Sequence, residues 1–319
     1  PESMREAGLD REVLTRLDIH DRVNQRHEDK AREDWRKFVS MITRKRKFTA
    51  KIGITGKYAK IRDAYASIDK ALEHCGTHLN AELDVHWLDT TEMNETDVTR
   101  ELENLDGIIV PGGFGKRGTE GKIACIKYCR ENALPYLGIC LGFQMAVVEF
   151  ARNVCGLADA GSTEFDPKTT TPVIDILPEQ KKIEGLGGNM RLGGKDVQVK
   201  SDTLAWYLYS QQNMIRERFR HRFEVDPRYI EKLEEHGMIF SGRHPQQPIM
   251  QILELSTKLH PYFIGAQFHP ELTSRPLVPQ PMFMGLVAAA IQHAHPDVEP
   301  SQITDRWLSP TLPTQAVEA

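Results

Sequence analysis

From Lys51 onward, short apolar runs alternate with longer amphipathic segments. Short runs rich in apolar, β-branched or aromatic residues predict strands, whereas apolar positions three and four residues apart predict helices. The predicted strands are KIGITG (51–56), ELDVHWL (82–88), DGIIVPGG (106–113) and LPYLGIC (134–140). The predicted helices are RDAYASIDKALEHC (62–75), GKIACIKYCREN (121–132) and a segment from near Gly142 to Val154.

Apolar residues occupy consecutive positions in GIIV (107–110) and PYLGI (135–139). Such strands are covered on both faces, as in a parallel sheet with helices on either side. The sequence therefore predicts an α/β fold, an open and mostly parallel sheet flanked by helices, of the flavodoxin-like type. Beyond Gly161 we predict further strands, several of them antiparallel, at TPVIDIL (171–177), KDVQV (195–199), HRFEV (221–225), GMIFSG (237–242), MQILEL (250–255) and YFIGAQF (262–268).

The two ends of the chain differ from the predicted domain at 51–295. Residues 1–50 are charge-dense with helical spacing and few apolar positions, which predicts a helix and a linker. The Pro-containing strings in 296–319 predict a disordered tail. The basic run from Arg44 to Lys47 could be a nuclear-import or phosphate-binding patch, but we favour a solvated linker, because charge runs usually only face solvent.

Composition narrows the classes of function. The chain has 41 Lys and Arg against 45 Asp and Glu, a formal net charge of -4, which favours neither nucleic-acid binding nor disorder. Its 5 cysteines form no CxxC pair and have no zinc-type spacing to histidine, so we expect reduced thiols and no metal site. No long apolar stretch or signal-peptide pattern occurs, so we expect a cytoplasmic protein without a membrane span.

The string Gly138-Ile139-Cys140-Leu141-Gly142 carries the strongest candidate chemistry. It lies where a predicted strand meets a predicted helix, and it is the thiol counterpart of a nucleophile elbow. Small residues on either side permit a tight turn in which a Cβ would clash. The helix N-terminus supplies partial positive charge and N–H donors, which favour a thiolate. Cys140 is therefore the candidate nucleophile.

A nucleophile needs a base, and the string Gln267-Phe268-His269-Pro270-Glu271 supplies the best candidate. In an extended chain, residues two apart point to the same side, so His269 and Glu271 are expected to face one site. The carboxylate would orient the imidazole and stabilise its charged form. Cys140, His269 and Glu271 are thus the candidate catalytic residues.

Two glycine-containing strings imitate nucleotide-binding motifs. The segment from Gly113 to Gly118 fits the dinucleotide-binding pattern GxGxxG. In that motif the next strand ends in an acidic residue that binds the ribose, whereas here the next predicted strand ends in cysteine. We therefore interpret the segment as a tight turn. Gly56 and Lys57 are followed by Tyr58 and lack the glycine spacing of a P-loop. ATP binding therefore has no support in this chain.

The strings PGGFG (111–115), GICLG (138–142) and QFHPE (267–271) occur in this order and at these separations. With them the chain resembles the class I glutamine amidotransferases over about residues 51–295. Further strings make it similar to the glutaminase domain of the CTP synthase family: GKY (56–58), STEFDP (162–167), GGNMRLG (187–193) and RHRFEV (220–225). By this resemblance, residues 1–50 correspond to the closing helix of a synthetase domain and the interdomain linker.

The resemblance also implies how the substrate L-glutamine is bound. Gly113 and Leu141 match positions whose backbone N–H groups form an oxyanion hole. Glu164 matches an acid that receives the α-ammonium group, and Arg222 a base that receives the α-carboxylate; an unpaired, desolvated zwitterion would be costly. The implied glutamine-binding positions are Gly113, Leu141, Gly142, Phe143, Gln144, Glu164 and Arg222.

The implied activity is hydrolysis of glutamine to glutamate and ammonia through a thioester on Cys140. The ammonia would serve ATP-dependent amination of UTP to CTP in a synthetase domain outside this chain. No cofactor is expected in the chain itself; ATP and Mg²⁺ would bind the synthetase domain, GTP is implied as an allosteric activator, and the full-length protein as a homotetramer. Two alternatives stay open: another flavodoxin-like cysteine hydrolase, such as an intracellular peptidase or deglycase-type protein, and a catalytically silent regulatory or filament-forming module.

Overall fold

The computed structural model describes residues 2–56, 65–176 and 190–308. The chain forms two compact units, residues 1–44 and 45–319. The first unit is helical, with α1 (Glu2–Glu6), α2 (Leu9–Leu17), a 3₁₀ turn (His20–Arg22) and α3 (Gln25–Thr43). Asn24 caps α3 by accepting a hydrogen bond from the His27 backbone N–H. The helix predicted in this segment is therefore confirmed.

The second unit is built on a nine-stranded sheet. Five neighbouring strands are parallel, in the spatial order β2 (Ala81–Leu88), β1 (Phe48–Thr55), β3 (Gly107–Val110), β4 (Tyr136–Ile139) and β12 (Phe263–Ala266). Antiparallel pairs continue the sheet with β11 (Met250–Leu255), β10 (Met238–Arg243), β7 (Arg191–Val199) and β8 (Met214–His221). A three-stranded sheet contains β5 (Ala160–Ser162), β6 (Thr171–Asp175) and β9 (Glu224–Val225).

Helices cover both faces of the large sheet. One apolar core contains residues of α4 (Ala66–His78), α8 (Leu204–Leu208) and α10 (Pro281–Ala294). The other contains residues of α5 (Glu95–Leu102), α6 (Thr119–Glu131), α7 (Leu141–Asn153) and α9 (Ile230–Glu235). Within β3, Ile108 belongs to one core and Ile109 to the other. The consecutive apolar residues thus do mark a doubly covered strand, and the predicted fold class is confirmed.

Some predicted boundaries need correction. The string HRFEV (221–225) is not one strand, because β8 ends at His221 and Glu224 and Val225 pair in the small sheet. Helix α10 was not predicted, since it is buried on nearly all sides and lacks an amphipathic pattern. The predicted tail contains α11 (Pro300–Ile303), whose Ile303 is buried. The prediction for 309–319, and the strings KY (57–58) and GGN (187–189), lie outside the described residues.

The basic run joins the second unit through specific contacts. The Lys47 backbone N–H donates to the carbonyl oxygen of Asn80 at 2.9 Å, and Arg46 Nη2 donates to Thr77 Oγ1 at 3.3 Å. These contacts hold the entry to β1, while the side chains of Arg44, Lys45 and Lys47 are exposed, as the interpretation of a solvated run expects. None of the described helices is long and apolar enough to cross a membrane.

Helices α6 and α7 are joined by a buried ion pair. Arg130 Nη2 lies 2.8 Å from Glu149 Oε1, Arg130 Nε lies 3.0 Å from Glu149 Oε2, and Glu149 is 0% exposed. Asn153 Nδ2 also donates to Glu149 at 3.1 Å. Removing one partner of such a pair leaves an uncompensated buried charge.

We therefore expect Arg130→Met to lower the free energy of unfolding by about 3–5 kcal/mol, measured by urea denaturation. The exposed pair between Arg216 and Asp196, with Nη1 2.7 Å from Oδ1, gives a matched control. Arg216→Met should cost no more than about 1 kcal/mol, since exposed pairs contribute little. Equal losses in both variants would contradict this account of α6 and α7.

Candidate active site

Cys140 occupies a sharp turn between β4 and α7. Its backbone has φ 52° and ψ −98°, outside the regions that L-residues ordinarily adopt. The Cys140 N–H donates to the Ala266 carbonyl oxygen at 2.7 Å, which ties the turn to the end of β12. Strained backbone at the junction of a strand and a helix is the geometry of a nucleophile elbow.

Gly138 and Gly142, which flank the turn, are required because other backbone segments lie very close to them. A Cβ at Gly142 would lie 2.0 Å from the Val110 carbonyl oxygen. A Cβ at Gly138 would lie 2.9 Å from the Gly142 carbonyl carbon. Real Cβ atoms do not approach backbone this closely, so α7 could not sit against β3 and β4 with larger residues at either position. The predicted role of these glycines is confirmed.

A cavity of about 390 Å³ opens at this edge of the sheet. Cys140, His269 and Glu271 line it together, and so does Gly113 from the loop after β3. Cys140 is 3% exposed, so its thiol meets solvent only through the cavity. The tertiary structure thus brings a thiol, an imidazole and a carboxylate from distant parts of the chain to one small site.

His269 and Glu271 are in contact, but not for the reason given by the sequence. His269 Nδ1 lies 2.8 Å from Glu271 Oε1. The chain is not extended here: Pro270–Leu272 form a 3₁₀ turn that begins after His269. The prediction based on an extended strand is therefore wrong, and the 3₁₀ turn brings the two side chains into contact instead. Pro270 suits the first position of this turn, because a backbone N–H there would have no acceptor within the turn.

The charge state of His269 depends on its two neighbours. Burial by itself lowers the pKa of the imidazole. Hydrogen bonds and charge interactions with Cys140 and Glu271 outweigh burial and raise the pKa of His269 from 6.5 to about 10. The imidazole is consequently protonated at neutral pH, the form that pairs with a thiolate and can donate a proton to a leaving group.

The other cysteines have no such surroundings. Burial raises the pKa of the Cys75 and Cys129 thiols well above the ordinary value, and that of Cys125 to about 12. The Cys155 pKa is also raised by burial. All four are free thiols, and Cys125 and Cys129 belong to the apolar core, where they contribute to packing.

The first turn of α7 carries four of the implied substrate-binding positions. Leu141, Gly142 and Phe143 have N–H groups without intrahelical acceptors, because they begin the helix. The Phe143 side chain is 0% exposed and belongs to the core, so only its backbone is available to a ligand. Gln144 is 3% exposed; its Nε2 donates to the Phe223 carbonyl oxygen at 3.0 Å and to Gln267 Oε1 at 3.2 Å. Gln144 therefore ties the nucleophile helix to the segment after β8.

Glu164 and Arg222 do not line the cavity itself, but contacts connect them to its walls. Glu164 Oε1 accepts a hydrogen bond from the Gly115 N–H at 2.9 Å, in the same glycine-rich loop as Gly113. Arg222 precedes Phe223, whose carbonyl holds Gln144. The Arg222 Nε atom is buried and makes no hydrogen bond within residues 2–56, 65–176 and 190–308. A buried guanidinium nitrogen without a partner is costly, so a ligand carboxylate would suit it.

Several residues of the site were missed by the sequence analysis, among them Gly112, Arg220 and Phe114. A Cβ at Gly112 would lie 2.9 Å from His269 Cε1, so this glycine lets the imidazole approach the loop. Arg220 lines the cavity, and its carbonyl oxygen lies 3.9 Å from Cys140 Sγ. Phe114 lines it as well, with its ring 6.0 Å from the Arg220 guanidinium carbon. An exposed aromatic residue in a glycine-rich loop was a usable signal for Phe114, whereas nothing local marks the Arg220 carbonyl.

Comparison with known proteins identifies the family of the chain. The family profile "Glutamine amidotransferase class-I" matches residues 60–289. The glutaminase domain of Trypanosoma brucei CTPS, solved with bound acivicin, is similar to the chain with a TM-score of 0.70 and 36% identity; the match covers 76% of this chain and 93% of that domain. The chain belongs to the class I glutamine amidotransferase family.

Two curated relatives refine this membership. The CTP synthase of Natronomonas pharaonis is 49% identical over 299 residues, which are 94% of this chain and 52% of that protein. The CTP synthase of Pyrococcus furiosus is 47% identical over 287 residues, 90% of this chain and 51% of that protein. The amidotransferase domain thus has CTP synthases among its relatives, and the chain spans about half their length.

The raised pKa of His269 can be measured by NMR titration of its imidazole. We expect a pKa near 10 in the unaltered chain, and a lower value in Cys140→Ala and in Glu271→Gln, because each variant removes one of the groups that raise it. Since the folded-state pKa lies above the unfolded value of 6.5, protonated His269 adds to the free energy of unfolding below pH 6.5. That contribution should disappear between pH 6.5 and about 10 in urea denaturation. An ordinary titration near 6.5 would show that the three groups do not interact.

Proposed function

We propose that the chain hydrolyses L-glutamine to glutamate and ammonia, with Cys140 as nucleophile, His269 as acid and base, and Glu271 as the residue that orients the imidazole. The observation that carries the proposal is the meeting of these three side chains in one cavity, with the cysteine on a strained elbow. Membership of the amidotransferase family and similarity to a glutaminase domain that binds acivicin support it.

The proposed reaction has two steps. The Cys140 thiolate forms a bond to the side-chain amide carbon of glutamine, and the oxyanion is stabilised by the backbone N–H groups of Gly113 and Leu141. Protonated His269 donates to the amide nitrogen, the C–N bond breaks, ammonia leaves and a thioester remains. Neutral His269 then deprotonates a water molecule that attacks the thioester; the C–S bond breaks, and glutamate and the thiolate are regenerated.

The head group of glutamine would lie between Glu164 and Arg222. Arg222 offers a buried Nε without a partner among the described residues, which suits the α-carboxylate. Glu164 already accepts from Gly115, but a carboxylate has several lone pairs and can also accept from the α-ammonium group. Gly142, Phe143 and Gln144 complete the proposed contacts from the start of α7.

The ammonia would be used by the rest of a longer protein. The relatives named CTP synthase are about twice as long as the matched segment, so we propose that a synthetase domain consumes the ammonia in ATP- and Mg²⁺-dependent amination of UTP. Activation by GTP, assembly as a homotetramer and a cytoplasmic location stay predictions of the same hypothesis.

The family assignment argues against the peptidase-type alternative, and a catalytically silent module is the other competitor. A module without activity has no need to hold a thiol, an imidazole and a carboxylate in contact around a cavity. An electrophilic glutamine analogue distinguishes the two, because only a reactive thiolate in a glutamine-shaped pocket should be alkylated at Cys140.

Substitution of the triad tests the mechanism. We expect Cys140→Ala to lower kcat for glutamine hydrolysis by about 10⁶-fold without unfolding the chain, and removal of His269 to be nearly as severe. Glu271→Gln should cost on the order of 10⁴-fold, because it disturbs orientation and charge while both reacting groups remain. Turnover in a folded Cys140→Ala chain would refute the mechanism.

Substitution of the two head-group residues tests the substrate. Glu164→Ala and Arg222→Ala should each raise KM for glutamine by a factor equivalent to about 2–5 kcal/mol, because each leaves one charge of the zwitterion unpaired. Arg216→Ala, an exposed arginine on β8, is the matched control and should leave KM unchanged. If both site variants kept the KM and kcat of the unaltered chain, the substrate assignment would be wrong even with Cys140 established as nucleophile.

A further inference from the structure

Glu217 is a buried carboxylate that has no part in the proposed mechanism. Strand β8 alternates exposed and buried residues, and Glu217 falls on the buried face with 4% exposure. Its Oε1 accepts from the Tyr209 hydroxyl at 2.8 Å and from Gln280 Nε2 at 3.2 Å. Its Oε2 accepts from the Thr273 hydroxyl at 3.0 Å. Three neutral donors from three separate segments thus converge on one carboxylate.

These contacts connect β8 to the turn that carries His269 and Glu271. Thr273 ends the 3₁₀ turn that His269 begins, and Glu271 lies between them. The N–H of His269 donates to the Arg218 carbonyl oxygen at 2.8 Å. Two consecutive residues of β8, Glu217 and Arg218, therefore hold the two ends of the turn. Glu217, Arg218 and Thr273 are not among the residues that line the cavity.

We propose that Glu217 is a positioning residue of the glutaminase site, which acts through Thr273 to hold the turn so that Glu271 stays on the imidazole of His269. The inference rests on the proposed function and deepens it. The contact to be held is short, 2.8 Å between Glu271 Oε1 and His269 Nδ1, and the other Glu271 oxygen is buried without a hydrogen bond within the described parts of the chain. A shift of the turn would therefore leave Glu271 without a second anchor to restore its position.

Because Glu217 is ionised, it determines which acceptor receives the hydroxyl proton of Thr273. That hydroxyl has one proton and two acceptors, Glu217 Oε2 and the Pro270 carbonyl oxygen, each at 3.0 Å. Burial raises the pKa of Glu217 to about 6, with a smaller contribution from the charge of Glu271, so Glu217 is mainly ionised at neutral pH. Tyr209, the other titratable group in contact, stays a donor because burial raises its pKa well above the ordinary value. An ionised acceptor forms the stronger hydrogen bond, so the proton of Thr273 points to Glu217.

A purely structural role would give a different result. Gln280 caps α10 by accepting from the N–H groups of Met282 and Phe283, so the cluster could serve only to hold this helix. Tyr262 offers the matched comparison, because its buried hydroxyl also anchors the start of α10, donating to the Met282 carbonyl oxygen at 2.6 Å. Tyr262→Phe therefore loses a buried hydrogen bond at the same helix end without touching Glu217.

The test compares Thr273→Val, Thr273→Ser, Glu217→Gln and Tyr262→Phe in the full chain. Valine lacks the hydroxyl, so we expect kcat for glutamine hydrolysis to fall roughly 10- to 100-fold at unchanged KM, as for a misplaced catalytic group. Serine keeps the hydroxyl and should restore kcat to within about threefold. Glu217→Gln should resemble valine, because it removes the charge that directs the Thr273 proton, and its NH₂ group faces donors, either Thr273 or both Tyr209 and Gln280. Tyr262→Phe should lower the thermal midpoint and leave kcat unchanged.

Imidazole NMR provides a readout that needs no turnover. In Thr273→Val and Glu217→Gln the pKa of His269 should fall, because its contact with Glu271 is loosened, while Thr273→Ser and Tyr262→Phe should leave it in place. Unaltered kcat and His269 titration in folded Thr273→Val and Glu217→Gln would overturn the inference. Cys140→Ala, assayed in parallel, separates the two hypotheses: its inactivity leaves the proposed function standing, whereas its activity would reject that function itself.

Discussion

The site depends on how closely helix α7 approaches the sheet. Gly142 lies so near Val110 that a Cβ would be 2.0 Å from its carbonyl oxygen, and Gly138 is equally unable to carry a side chain. This approach compresses the connection between β4 and α7 into a single residue, Cys140, with φ 52°. Because the turn is so tight, the thiol projects beyond the end of the strand, beside the N–H groups that begin the helix.

Strand β8 provides the second framework of the site, although it lies at the far edge of the nine-stranded sheet. The carbonyl of Arg218 accepts from the backbone of His269, and that of Arg220 lies beside the thiol of Cys140. In the segment after the strand, the carbonyl of Phe223 accepts from Gln144. Antiparallel strands thus extend the parallel sheet until its edge reaches the nucleophile. A parallel sheet of this size offers only the carboxyl ends of its strands, so this extension closes the cavity from another side.

Around Glu217, Glu271 and His269, burial disfavours the charged forms of side chains that interact through their charges. Glu217 and Glu271 are both largely buried carboxylates, and the charge of Glu271 contributes to the raised pKa of Glu217. The cation that compensates Glu271 is His269, whose own burial disfavours its charge. The arrangement is stable only while each group keeps its partners, since an unpaired charge in this surrounding would cost several kcal/mol. A site of this kind tolerates little displacement of the turn that carries it.

Local sequence patterns specify the parts of this protein that depend on neighbouring residues. Doubly covered strands and the elbow around Cys140 follow from such patterns, because steric limits and strand burial act over a few residues. The 3₁₀ turn at Pro270, the end of β8 at His221 and the all-round burial of α10 were decided by packing between distant segments. So were the Arg220 carbonyl and Glu217, because an edge strand meets the site only after the whole sheet has formed, and its backbone carbonyls carry no side-chain signal in the sequence.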